Sequence, residues 1–216
     1  MSFNKEFGNN IYTSLEEKIL FKPISIPLAR LFSKLKIHPN IISLIGLFLM
    51  FIASFLVIWD FKYHLVFAAF MVYLSFLFDK IDGDLARLSG LAGPLGQYFE
   101  GFLDLIGDTS MAIALIIYSG FDNKILICFS IIAPFVFYYN HLSSSLYLNL
   151  LPSTYRDLGD YKFIKILFSY NRVRHELLFM LVLLTGKIYL FFYIMPLLIP
   201  YTFILYFRRL ILEYRK

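Results

Sequence analysis

The chain has 216 residues, 59% of them hydrophobic and 16% charged, with 20 Lys and Arg against 15 Asp and Glu. A soluble domain is about 45–50% apolar and about a quarter charged, and apolar runs near the ~20 residues that cross a bilayer core recur here, so a soluble globular fold is excluded. The net charge of +5 suits contact with anionic lipid headgroups, whereas nucleic acid is excluded as a partner because the basic residues flank apolar runs and form no basic face.

Residues 1–40 read as a cytoplasmic leader, charged and amphipathic, without the short apolar core and small-residue cleavage site of a signal peptide. Ser14 and Glu17 have capping-box spacing. Leu28, Leu31, Phe32 and Leu35 then follow i, i+3, i+4, i+7, with Arg30, Lys34 and Lys36 on other faces. That pattern predicts a helix over 14–36 lying on the membrane surface.

Residues 41–216 read as one all-α domain of six transmembrane helices, placed near 41–59, 63–82, 97–119, 124–144, 166–186 and 188–207. WDFK at 59–62, SGFDNK at 119–124 and TGK at 185–187 supply turns between spans. Arg172, Arg174, His175 and Glu176 fall inside the fifth. Cations at membrane depth usually face a polar cavity, so Arg172, Arg174 and His175 are candidates for holding a phosphate on a substrate, or else charges flanking the span. With both termini cytoplasmic, only Lys62, Lys124 and Lys187 of the 20 Lys and Arg lie on the far side, which fixes the orientation by the positive-inside rule. His38, His64 and His141 show no partner spacing and read as interfacial. The single cysteine, Cys128, rules out an internal disulfide and reads as a small hydrophobe in an apolar run.

The chemistry concentrates in DKIDGDLARLSGLAGPLGQYFEGFLD, residues 79–104, at the cytoplasmic face. If the second span continues as a helix through Arg87, Asp79 and Asp82 share a face, Gly83 leaves a gap without bulk, and Arg87 follows one turn on. Asp84 points off this stripe into solvent. SGLAGPLG, 89–96, breaks the helix. Glu100, Asp104 and Asp108 then recur every fourth residue on one face of the next.

Two antiparallel helices joined by this turn would bring Asp79, Asp82, Glu100 and Asp104 together. Unneutralised, four carboxylates in a partly dry site are opposed by repulsion and desolvation. An all-oxygen ligand set calls for Mg²⁺ or Mn²⁺, and four carboxylates suit two ions, the arrangement used for phosphoryl displacement. Gly83 admits a phosphate close to the backbone, and Arg87 offers it a fork of donors.

At these residues the sequence resembles the CDP-alcohol phosphotransferase (CDP-alcohol phosphatidyltransferase) family, whose signature is D-x2-D-G-x2-A-R-x8-G-x3-D-x3-D. Asp79, Asp82, Gly83, Ala86, Arg87, Gly96 and Asp104 match in register, and Glu100 stands in place of the third aspartate. HPNIISLIG, with His38, Pro39, Asn40, Ser43 and Gly46, resembles the family's segment opening the first span. The resemblance implies transfer of a substituted phosphate from a CDP-linked alcohol, such as CDP-diacylglycerol, to an alcohol acceptor in phospholipid or related lipid synthesis, with release of CMP.

Carried over by position, Asp79, Asp82, Glu100 and Asp104 are metal ligands and Asp104 is also the general base. Gly83 and Arg87 hold nucleotide and diphosphate, and Asn40 and Ser43 line the cytidine side. Arg172, Arg174 and His175 are the acceptor-side candidates. Gly93 stands where some members place a phosphate-contacting Ser. The longer Glu100 either bridges two ions across slightly separated helices or reaches one ion while Asp108 compensates. The positive-inside orientation makes this an inner-membrane protein with its site at the cytoplasm, and the resemblance, to a family that is often dimeric, allows a homodimer. The alternative from a different class is a transporter using Asp79, Asp82, Glu100 and Asp104 as a cation or proton relay.

Overall fold

The computed structural model describes residues 15–120, 122–150 and 172–195; described side chains end at Tyr138 and resume at His175. All secondary structure among the described residues is helical. The helices are α1 (Leu15–Leu20), α2 (Lys22–Lys34), α3 (Pro39–Ile58), α4 (His64–Leu88), α5 (Pro94–Ser119), α6 (Lys124–Leu150) and α7 (Arg172–Thr185), with a further helical stretch over 189–195. Three of them, Pro39–Ile58, His64–Leu88 and Leu95–Ser119, are long and apolar enough to span a membrane. Parts of the expected fifth and sixth spans, residues 166–171 and 196–207, lie outside the described residues, so three of the six expected spans are established on length and composition.

The predicted turns fall where the residues demand them. His38 caps α3, its Nδ1 accepting the Asn40 N–H at 3.2 Å, with Pro39 in the first turn where its missing N–H costs nothing. α4 runs on to Leu88 and ends in a Schellman turn: Gly90 takes φ +68° and the Leu91 N–H reaches the Ala86 carbonyl at 2.9 Å. The 89–96 break thus becomes a tight reversal that delivers the chain to Pro94 at the start of α5.

α3 is the keel. It packs against both α4 and α5, whereas α4 and α5, although joined by that reversal, are not a closely packed pair. Close approach of α3 needs small residues. A Cβ on Gly46 would lie 3.3 Å from the Ser75 carbonyl of α4, and one on Gly107 of α5 3.3 Å from Met50 Cγ. Ser75 Oγ also donates to the Gly46 carbonyl at 2.8 Å. Around this trio, α2 packs on α4, α6 on α5 and α7 on α4. The core runs through Met50, Ala53, Val72, Phe76, Met111 and Phe179.

The leader helix differs from expectation. It breaks at Phe21, which is fully buried and stacks on Tyr73 with ring centroids 5.6 Å apart. Ser14 lies outside the described residues. α2 buries Ser25 and Ala29 against α4, with Leu28 and Phe32 partly covered, but leaves Leu31 and Leu35 exposed. The packed stripe is set by small residues that let two backbones approach, so it is rotated from the stripe defined by the largest side chains.

His64, expected at the interface, opens α4 at the end of a candidate span and is buried within the protein, its Nδ1 3.0 Å from the Leu56 carbonyl. It ties the start of α4 to the end of α3. The side chain of His141 lies outside the described residues.

Candidate active site

Asp79 and Asp82 come from one turn of α4, and Glu100 from the second turn of α5. Each offers a carboxylate oxygen, all within 4.8 Å of one another. Ser43, Gly46, Met50 and Ser75 close the site from below. Asp104, Gly107 and Asp108 extend it along α5, enclosing about 30 Å³, room for about two water-sized occupants. Asp104 lines this cavity but stands outside the compact group of three. The acids therefore meet across a gap held open by α3, and not along a packed α4–α5 seam. Glu100 fits that spacing, since its extra methylene spans the wider gap.

Asp82 shows why the cluster calls for a cation. It is 3% exposed, and neither carboxylate oxygen has a hydrogen-bond partner. The Ser43 hydroxyl is near enough to be a hydrogen-bond partner for it on rotation, but as placed it donates to the Pro39 carbonyl at 3.3 Å. A buried, unpartnered carboxylate beside two others is strongly unfavourable by itself. Hard oxygen donors converging on a small cavity fit a divalent cation such as Mg²⁺ or Mn²⁺, so the residues present suit a metal.

Outward from the acids the cavity opens into a cleft of about 880 Å³. Asn40, Ser43, Asp82, Gly83, Arg87 and Glu100 are among its polar lining, and Leu91, Leu95, Phe99, Phe102 and Tyr138 among its apolar lining. A cleft of this size holds a ligand of nucleotide dimensions. Arg87 folds back over Gly83, where an added Cβ would lie 3.3 Å from Nη2. Only the missing side chain lets the guanidinium rest on the helix. Gly93 lies on the cleft wall, at the N-cap of α5.

Asp84 corrects the expectation of a solvated carboxylate. It is fully buried, with Lys22 Nζ and Arg87 Nη2 each 2.7 Å from Oδ1 and Ser25 Oγ 2.7 Å from Oδ2. Docking of α2 covers this face of α4, which the local pattern of α4 does not reveal.

Behind the acids lies a second set of polar contacts. Lys80 Nζ is 2.7 Å from Asp79 Oδ2 and 3.4 Å from Glu176 Oε1 of α7. His175 Nδ1 is 3.4 Å from Asp108 Oδ2. His175 is 3% exposed and lines neither cavity, so the structure places it behind the carboxylates and away from the cleft wall. The side chains of Arg172 and Arg174 lie outside the described residues. Sequence reasoning passed over Lys80 and Glu176, which are 96 residues apart; no local spacing announces that pair.

The family model for CDP-alcohol phosphatidyltransferase matches residues 36–157, more than half of the chain. The chain belongs to that family. Among individual proteins it is similar to an uncharacterized protein of Aquifex aeolicus (strain VF5), 30% identical over 117 residues that cover 54% of this chain and 58% of the relative. It is also similar to an uncharacterized CDP-alcohol phosphatidyltransferase class-I family protein of Schizosaccharomyces pombe (strain 972), 34% identical over 128 residues covering 52% of this chain and 32% of the relative. The matched stretch thus spans less than two thirds of either relative's length.

Proposed function

We propose that this protein transfers a substituted phosphate from a CDP-linked alcohol to an alcohol acceptor, releasing CMP, at the cytoplasmic face of a membrane. The observation that carries the proposal is the convergence of Asp79, Asp82 and Glu100 within 4.8 Å at the floor of a cleft whose polar wall bears Gly83 and Arg87. Family membership supplies the reaction class, and the apolar residues in the cleft lining favour a donor bearing acyl chains, such as CDP-diacylglycerol.

In this proposal residues 41–216 form the catalytic unit and residues 1–40 its leader. Asp79, Asp82, Glu100 and Asp104 would hold divalent metal, Mg²⁺ or Mn²⁺ and two ions by preference, which when bound neutralises charge gathering on the diphosphate. Asn40 and Ser43, at the start of α3, face the cytidine. Gly83 lets the diphosphate approach the α4 backbone. Arg87 donates to its oxygens and stabilises the charge developing as the bond to the transferred phosphorus breaks. Asp104 takes the proton of the acceptor hydroxyl, which becomes the nucleophile. Arg172 and Arg174, at the start of α7, are assigned by this proposal to a phosphate on the acceptor.

The relay alternative draws on the Asp79–Lys80–Glu176 and Asp108–His175 contacts, which carry ionisable groups across α4, α5 and α7. A relay does not need a cleft of about 880 Å³ with a guanidinium in its lining. The deciding experiment incubates the purified protein with CDP-diacylglycerol, Mg²⁺ or Mn²⁺ and a panel of alcohol acceptors, and follows CMP and product mass. Metal-dependent CMP release with a phosphodiester product is expected. Ion flux across proteoliposomes without CMP release would replace the transferase with the relay.

A further inference from the structure

Asp84 has no part in the reaction as set out above, yet both of its carboxylate oxygens are partnered at short range. Oδ1 accepts from two cations, Lys22 of α2 and Arg87 of its own helix, and Oδ2 from the Ser25 hydroxyl, each at 2.7 Å. Lys22 is steadied in turn by Glu17 of α1 at 3.3 Å. A fully buried carboxylate with charge-assisted partners on both oxygens has little freedom to move. The groups it grips are therefore fixed to one another.

Arg87 is the one member that also faces the cleft. Its side chain is 45% exposed, and a long, half-exposed arginine without an anchor samples many rotamers, at a cost in conformational entropy when a ligand orders it. Here Asp84 takes one nitrogen, Nη2, and Gly83 supplies the flat seat beneath the guanidinium. The remaining donors are left to point at a ligand. A carboxylate that pre-orders a guanidinium in this way lowers the cost of binding anions.

We infer that Asp84 is a positioning residue for Arg87, and that α2, through Lys22 and Ser25, belongs to the diphosphate-binding apparatus and is more than a surface anchor. The inference rests on the proposed function only in taking the ligand of Arg87 to be a cytidine diphosphate group. The Lys22 and Ser25 contacts close 62 and 59 residues of chain separation, so the leader helix and the cleft are mechanically one body at this point.

The test measures CDP binding directly, in the full chain with Mg²⁺ present, alongside KM and kcat for CDP-diacylglycerol. Asp84→Asn keeps the shape and the Ser25 contact but loses the charge that holds two cations. It should weaken CDP binding by about tenfold, the effect of losing one charge-assisted hydrogen bond, and raise the donor KM similarly. kcat should change much less, and Mn²⁺ affinity followed by electron paramagnetic resonance should stay the same.

In an Arg87→Gln background the same substitution should have no further effect on CDP binding, because a positioning residue acts through the group it positions. Ser25→Ala retains both ion pairs and should weaken CDP binding about threefold, which provides a reading if Asp84→Asn does not fold. Unchanged CDP binding in Asp84→Asn, or in Ser25→Ala where only that variant folds, overturns the inference, as do penalties for Asp84 and Arg87 that simply multiply. If the unaltered protein binds no CDP, the proposed function itself falls. If it binds CDP and these variants bind equally well, only the role of Asp84 falls.

Discussion

Asp82 gives the sharpest test of the acid cluster, because its removal should move stability and function in opposite directions. The perturbation is Asp82→Asn, which preserves shape and removes charge. Asp79 and Glu100 offer oxygens within 4.8 Å of it; at an effective dielectric of about 20, each such like charge is unfavourable by about 3 kcal/mol. Lys80, 2.7 Å from Asp79, offsets part of this, and the new amide inherits a site where neither oxygen had a hydrogen-bond partner. The net gain in the metal-free protein should be about 1–3 kcal/mol, which at about 2–4 °C per kcal/mol for a chain of this size shifts the unfolding midpoint upward by several degrees.

The assay is thermal unfolding in detergent, with EDTA and then with Mn²⁺. The unaltered protein should be stabilised by Mn²⁺, by about 2.7 kcal/mol at a hundredfold excess over Kd; Asp82→Asn should gain little from the ion and release no CMP. A variant that is less stable than the parent in EDTA, or that responds fully to Mn²⁺, would refute the view that Asp82 is a strained carboxylate awaiting a cation.

Three further outcomes are expected. Asp104→Asn should retain CDP binding within a few fold while turnover vanishes, and should weaken Mn²⁺ binding because a carboxylate ligand is lost; residual turnover near the parent's rate removes Asp104 as the base. Gly83→Ala should leave unfolding within about 0.5 kcal/mol of the parent, since a helix-interior Ala is favoured over Gly by about 1 kcal/mol and the 3.3 Å approach of Arg87 Nη2 to the new methyl opposes it; kcat/KM for the donor should nonetheless fall at least tenfold, as read in CMP-release kinetics. Glu176→Gln removes one of the two carboxylates holding Lys80, draws the ammonium toward Asp79 and should weaken Mn²⁺ binding several-fold with CDP binding unchanged; an unaltered Mn²⁺ titration would show that α7 plays no part in the metal site.

Much of the site was legible because its geometry is local. Asp79, Asp82, Gly83 and Arg87 occupy consecutive turns of one helix, so a 3.6-residue period alone puts them on one stripe, and Glu100 and Asp104 obey the same period on α5. The turns expected at 59–62, 89–96 and 119–124 also fall between helices, although α5 begins at Pro94, three residues before the expected start of the third span at 97. Asp84 was misjudged for a physical reason. Whether a carboxylate is solvated depends on what another segment places over it, and Lys22 and Ser25 arrive from about 60 residues away. Glu176 and Lys80 were missed because neither belongs to a periodic pattern that includes the other.

The sequence by itself determined that the chain carries helices long and apolar enough to cross a membrane, where three of them begin and end to within a few residues, and which acids share a helical face, because these follow from hydropathy and from the rise and period of a single helix. Only the tertiary structure decided that α3 holds α4 and α5 apart through Gly46 and Gly107, that the acids consequently face a cavity and not a seam, and that the leader helix grips Asp84 from outside. Each of those is a distance between residues far apart in the chain, and such distances are set by packing, which no local pattern encodes.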